Sequence, residues 1–153
     1  MVQMLWNLIY RLRRFLHLLW KQQGSPGYQA RGLAIGVFCG CLPFFGIQTV
    51  LGMMLASVFR GNHLLAVSGT WISNPITYVP LFLLNYRVGS IALGVSTTMH
   101  HLDDVSSREI WSQGWIFVSR LLYGSTLVGT ILGLLTGLFV YIFLRVRSSR
   151  IKI

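Results

Sequence analysis

The sequence predicts an all-α integral membrane protein, and three observations carry that expectation. Of the 153 residues, 54% are apolar and only 10% charged, a balance outside that of ordinary water-soluble domains. No residue is formally charged between Arg31 and Arg60, between Arg60 and Arg87, or between Arg120 and Arg145. Thirteen Lys and Arg stand against three acids, so the net charge is +10 and the expected partners are anionic. The length suits one domain. Charge alone fits both nucleic acid and anionic lipid, but the basic residues flank apolar stretches instead of lining one folded face, which argues against nucleic acid.

The first element is a basic amphipathic helix over residues 1–22. Gln3, Asn7, Arg11, Arg14, His17 and Lys21 fall at steps of three and four, one polar stripe on a helix otherwise built of Leu, Trp, Ile, Tyr and Phe. Without an unbroken apolar core or a small-residue cleavage site it reads as lying in the cytoplasmic membrane interface, although a transit segment shares its Arg-rich, acid-free composition. Residues 23–153 then form a single membrane domain. Ser25 and Pro26 have the chemistry of an N-cap and first helical residue.

Two broken helical segments follow, 26–59 and 61–99. Pro43, Gly46 and Gln48 interrupt the first, and Ser68, Thr70, Ser73, Asn74, Pro75 and Pro80 the second, so the apolar pieces are too short to span alone. Backbone freed at such breaks must lie against protein or a watery cavity, as a kinked helix or a re-entrant hairpin. A far-side loop is expected over 100–120, a transmembrane helix over 121–144 and a basic cytoplasmic tail over 145–153. The helix covers roughly 36 Å against a hydrocarbon core of about 30 Å. Arginine crowds both ends of the chain, so both termini are expected in the cytoplasm and the protein is multi-pass.

Pro43 and Asn74-Pro75 are expected to open helices at membrane depth, where unpaired N–H groups and the positive end of the helix dipole favour an anion. The expected ligand site therefore comprises Pro43, Gly46, Gln48, Thr70, Asn74 and Thr77, with Arg31, Arg60 and Arg87 drawing in the head group. The Gly36-x-x-x-Gly40 pair and the ladder Gly129, Gly133, Gly137 allow close helix approach, within the chain or to a second copy or another membrane protein. Conventional catalytic constellations are missing. Cys39 and Cys41 point to different sides of a helix, and His100, His101, Asp103 and Asp104 lack a second ligand pair, so no metal, cofactor or enzymatic activity is expected.

The run Gly36-Val37-Phe38-Cys39-Gly40-Cys41-Leu42-Pro43-Phe44-Phe45-Gly46-Ile47-Gln48, then Arg60-Gly61-Asn62, then Gly69-Thr70-Trp71-Ile72-Ser73-Asn74-Pro75-Ile76-Thr77, resembles the markers of a bacterial family. It is number two thousand and sixty-two in the series of domains of unknown function, and the resemblance covers roughly residues 20 to 145. The resemblance implies a small, mostly helical protein of the bacterial inner membrane. Some relatives are joined to glycosyltransferase-like domains, which by analogy points to lipid-linked or envelope sugars. The expected function is binding or translocation of an anionic amphiphile, a lipid phosphate or an envelope-sugar lipid. The alternative is a non-catalytic accessory or scaffold subunit of a membrane complex.

Overall fold

A computed structural model describes residues 24–44, 46–94 and 107–150, with side chains in the last stretch described from 114 to 147. The helix expected over 1–22 lies outside these residues, as do His100, His101, Asp103 and Asp104. Every regular element among the described residues is helical.

Helix α1, Pro26–Cys41, starts where cap chemistry dictates: Ser25 Oγ accepts from the Tyr28 N–H, and Pro26, with no N–H to leave unpaired, takes the first turn. It ends at Leu42, whose extended ψ of 146° is what a following proline imposes. Pro43 therefore closes α1 instead of opening the next helix, a correction to the expectation above. A proline just past a helix and one at its first residue leave the same trace in sequence. Helix α2, Ile47–Val58, begins after Gly46, which takes φ of 76° and offers no side-chain cap.

Helix α2 stops in a Schellman turn, with the Gly61 N–H on the Ala56 carbonyl and the Arg60 N–H on Ser57. The left-handed position of that turn is held by Arg60, at φ of 50°. Helix α3, His63–Gly69, is capped by Asn62 Oδ1, which accepts from the Leu64 and Leu65 N–H groups, and it tightens into a 3₁₀ turn over Thr70–Ile72. Helix α4, Tyr78–Ala92, follows the Asn74 turn, and Pro80 sits within its first turn, where a missing N–H breaks nothing. Helix α5, Ser107–Arg150, has 44 residues, about 66 Å. It starts inside the stretch expected to be loop and ends inside the expected tail, because charged residues limit a membrane span without ending a helix.

Gly32, Gly36 and Gly40 line one face of α1 and meet the backbones of Asn62, Ala66 and Thr70 in that order, so α1 and α3 run parallel. Between these levels α2 runs back, with Thr49 beside Thr70 and Ser57 Oγ 2.7 Å from His63 Nε2. A Cβ on Gly36 would overlap the Ala66 carbonyl, so only glycine permits this approach.

Helix α5 is the spine. Gly129 lies against Phe38 and Cys41, Gly133 against Ala34, and Gly137 against Ala30 and Ala34, so α1 packs antiparallel on it. Helix α4 packs antiparallel on the same helix nearer its start, with Asn85 opposite Gly124 and Gly89 opposite Arg120. The two short helices thus follow one another along α5. At their junction Asn85 Nδ2 donates to the Cys41 carbonyl and to Ser125 Oγ, both at 3.0 Å. That carbonyl is one of the last in α1, which have no intrahelical donor, so α4 supplies the cap that α1 lacks.

Within α5, Gly114–Arg147 is long and apolar enough to cross a membrane. Only 17% of its most apolar window is buried by the rest of the protein, unlike the core helix of a soluble globule. Leu134, Leu138 and Phe139 are among its many exposed apolar side chains.

Candidate functional site

The structure sorts the expected site residues into three groups along the molecule. At the open end of the α2–α3 hairpin, Gln48 Oε1 accepts from Ser73 Oγ at 3.2 Å, and Thr49 Oγ1 lies 3.4 Å from Thr70 Oγ1. Gln48 is half-buried, and no hydrogen bond from its amide N–H groups occurs among the described residues. Pro43 and Gly46 shape the loop leading into this corner, and a Cβ on Gly46 would meet nothing within 4 Å. Thr70 is fully buried and donates to the Val67 carbonyl at 2.7 Å, so its hydroxyl ties the hairpin together.

Asn74 and Thr77 form the second part of that end. Asn74 Oδ1 accepts from the Ile76 and Thr77 N–H groups at 2.9 and 3.0 Å, and Thr77 Oγ1 accepts from the Asn74 N–H at 3.1 Å while donating to Ile72 O. This is a reciprocal Asn–Thr turn one step ahead of α4, whose N-cap position is Thr77 without a side-chain cap bond, so Asn74-Pro75 precedes the helix it was expected to open. Its consequence for binding is adverse: the N–H groups an anion would use are already taken. Beside them, Trp71 and Ile76 are 71% and 87% exposed.

The arginines lie elsewhere. Arg31 Nη2 donates to the Arg60 carbonyl at 3.1 Å, at the far tip of the hairpin, about three helical turns from the Gln48 corner. Both side chains are exposed and flank exposed Val58 and Phe59. Arg87 is exposed on α4. Arg31, near the Gly137 level of α5, and Arg87, between the Gly124 and Arg120 levels, are separated by roughly 22 Å along the spine. One ligand head group does not reach all three arginines.

Three polar side chains in the α4–α5 seam escaped sequence reading. Asn85 is fully buried at the junction, and Arg120 Nη1 donates to Tyr86 Oη at 3.0 Å with its guanidinium 6.0 Å from the ring centre. The signal available was a lone polar residue inside an apolar run, Leu83-Leu84-Asn85, and a lone Arg between Ser119 and Leu121. No group of three or more His, Cys, Asp or Glu suited to a metal occurs among the described residues. The glycine ladder Gly129, Gly133, Gly137, open in sequence to a partner chain, faces α1 of the same chain.

The family model described as "Uncharacterized protein conserved in bacteria (DUF2062)" matches residues 10–152, reaching further at both ends than the motifs alone. No curated protein and no solved structure matches the chain.

Proposed function

The chain belongs to this bacterial family, and from that premise we propose that it is a multi-pass protein of the inner membrane that binds or translocates an anionic amphiphile, a lipid phosphate or envelope-sugar lipid. In this reading α5 spans the bilayer and α1 and α4 together make a second, broken span beside it. The α2–α3 hairpin fills the half of the bilayer nearer the cytoplasm. Both termini lie in the cytoplasm, as the arginine bias favours. Irregular backbone at residues 42–44 and 73–77 then sits near mid-membrane, where the Asn74–Thr77 turn satisfies its own N–H groups.

The observation that carries the reading is the Gln48 corner. A half-buried amide, fixed through its oxygen by Ser73, keeps its donors unengaged in a surface that is otherwise apolar. Donors near the uncapped start of α2 suit a negative group. Arginines at two levels along α5, with this corner between them, suit an amphiphile that moves along the protein. The scaffold alternative loses its sequence argument, because the glycine faces it relied on are used within the chain.

Gln48→Leu tests the reading. Ser73 Oγ also donates to the Thr70 carbonyl at 3.3 Å, so losing Gln48 strands no hydroxyl and the detergent-solubilised protein should melt close to wild type. Retention of phosphatidylglycerol relative to phosphatidylcholine should fall severalfold. If the variant instead loses about 1–3 kcal/mol of stability, as a removed internal hydrogen-bond partner would cause, while the folded fraction holds lipid normally, the scaffold reading replaces this one.

A further inference from the structure

Among the described residues, three buried polar side-chain atoms have no hydrogen-bond partner: Asn85 Oδ1, Ser90 Oγ and Arg120 Nε. All three lie on the α4–α5 seam. Such atoms are costly to leave unmade, and a cluster of them in a structure otherwise satisfied asks for an explanation. Ser90 is 3% exposed. Other helical hydroxyls of this protein turn back onto their own helix: Ser57 onto Met53, Ser68 onto Leu64, Thr126 onto Leu122 and Thr130 onto Thr126, at 2.6 to 3.0 Å. Ser90 makes no such bond.

Two of the three atoms carry protons of one kind of use. Arg120 Nε is a charged donor, and Ser90 is a hydroxyl one turn beyond Tyr86 on the same face of α4. Ser90 follows Gly89, whose Cα lies against the Arg120 backbone. Tyr86 Oη accepts from Arg120 Nη1, which leaves its own proton to donate. Phe117 stacks on Tyr86 with ring centres 5.0 Å apart and holds the phenol in place. Asn85 Oδ1, the remaining atom, is an acceptor and sits one turn nearer the α1 junction, outside this group. No carboxylate occurs among the described side chains to neutralise Arg120.

We propose that Tyr86, Ser90 and Arg120 form a seat for the phosphate of a membrane lipid head group. Three donors on adjacent turns of one seam, one of them a guanidinium, match a phosphate oxygen set once the seam parts to admit it, and the charge-assisted bonds are the strong ones in a low-dielectric seam. The apolar, exposed flank of α5 beside it, with Ile116 and Tyr123, receives the acyl chains. The seat shares the premise of an anionic amphiphile with the Gln48 reading but none of its residues.

The full chain in mild detergent, titrated with phosphatidylglycerol, phosphatidylcholine and soluble glycerol 3-phosphate, tests the proposal by native mass spectrometry and melting temperature. Wild type should prefer phosphatidylglycerol over phosphatidylcholine. Arg120→Gln should lower phosphatidylglycerol affinity by about tenfold or more and Ser90→Ala by about threefold, as expected for losing a charged and a neutral donor. Ser90→Ala should melt no lower than wild type without lipid, because its hydroxyl has no protein partner to strand. If Arg120→Gln does not fold, Ser90→Ala and Tyr86→Phe carry the test. Unchanged lipid preference in both overturns the seat, as does a lower lipid-free melting temperature of Ser90→Ala. Equal binding of glycerol 3-phosphate and phosphatidylglycerol overturns the assignment to lipid. Loss of preference in Gln48→Leu alone, with Arg120→Gln and Ser90→Ala normal, overturns the seat and leaves the Gln48 reading standing.

Discussion

Along α1 and α3, glycines at four-residue spacing bring two backbones into contact, and no buried polar side-chain atom of that seam lacks a partner among the described residues. Along α4 and α5, Gly89 and Gly124 bring backbones equally close, yet Asn85, Ser90 and Arg120 each keep a buried atom unpaired. The close approach is the same; the polar accounting differs. A seam with every donor and acceptor matched gains nothing further from a ligand, whereas one holding spare donors beside a guanidinium is stabilised by whatever satisfies them. The first seam is a joint, and the second is a joint with chemistry left over.

The largest effects should come from the glycines common to both. Gly36→Leu and Gly124→Leu each drive a side chain into facing backbone, Ala66 in one case and Asn85 in the other, and should cost more than about 3 kcal/mol. Thermal melting in detergent checks this. Similar losses would establish that both seams rest on backbone contact, while a mild Gly124→Leu would break the parallel.

Next comes the junction. Asn85→Leu removes the donor to Cys41 O and Ser125 Oγ and should cost about 1–3 kcal/mol, partly offset because an unpaired oxygen also leaves the interior. Asn62→Ala, on the first seam, removes the cap of α3 and should cost about 1 kcal/mol. Equal losses would mean that the junction of α1 and α4 is no more than another cap. The smallest effect has the opposite sign. Arg60→Gly relieves a left-handed backbone at φ of 50° and should raise stability by about 1 kcal/mol, measured as a higher melting temperature.

What could be read from sequence was what acts locally. Ser25 with Pro26 marks a helix start, and Asn74 with Pro75 a capped turn just ahead of one, because a cap and its N–H groups lie within three residues of each other. The long apolar C-terminal helix is plain from its uncharged length. Pro43 was legible as a break but not as the end of α1, since only the backbone at Leu42 distinguishes the two roles. Arg60 read as a charge, whereas its backbone makes the turn between α2 and α3. Asn85 stands out as a lone polar residue after Leu83-Leu84, but its role is hidden, because its partners lie 44 and 40 residues away. The expected site was split for the same reason: nothing in the order of residues shows that Arg31 and Arg60 meet at one tip of the hairpin while Gln48 and Ser73 meet at the other.

The end-to-end placement of α1 and α4 on α5 also bears on how the chain is made. Helix α1 leaves the ribosome early and its partner α3 follows within some thirty residues, so both sides of their shared seam are present while synthesis continues. Helix α4 has no such companion. Its faces at Asn85 and Gly89 wait for residues 120 to 125, and its 15 residues fall short of the roughly 20 that are handled as a self-sufficient span. The helix emerging last therefore fixes the ones that emerged before it. A nascent chain halted ahead of Arg120 holds every residue of the α1–α3 seam but lacks Arg120, Gly124 and Ser125, which meet α4.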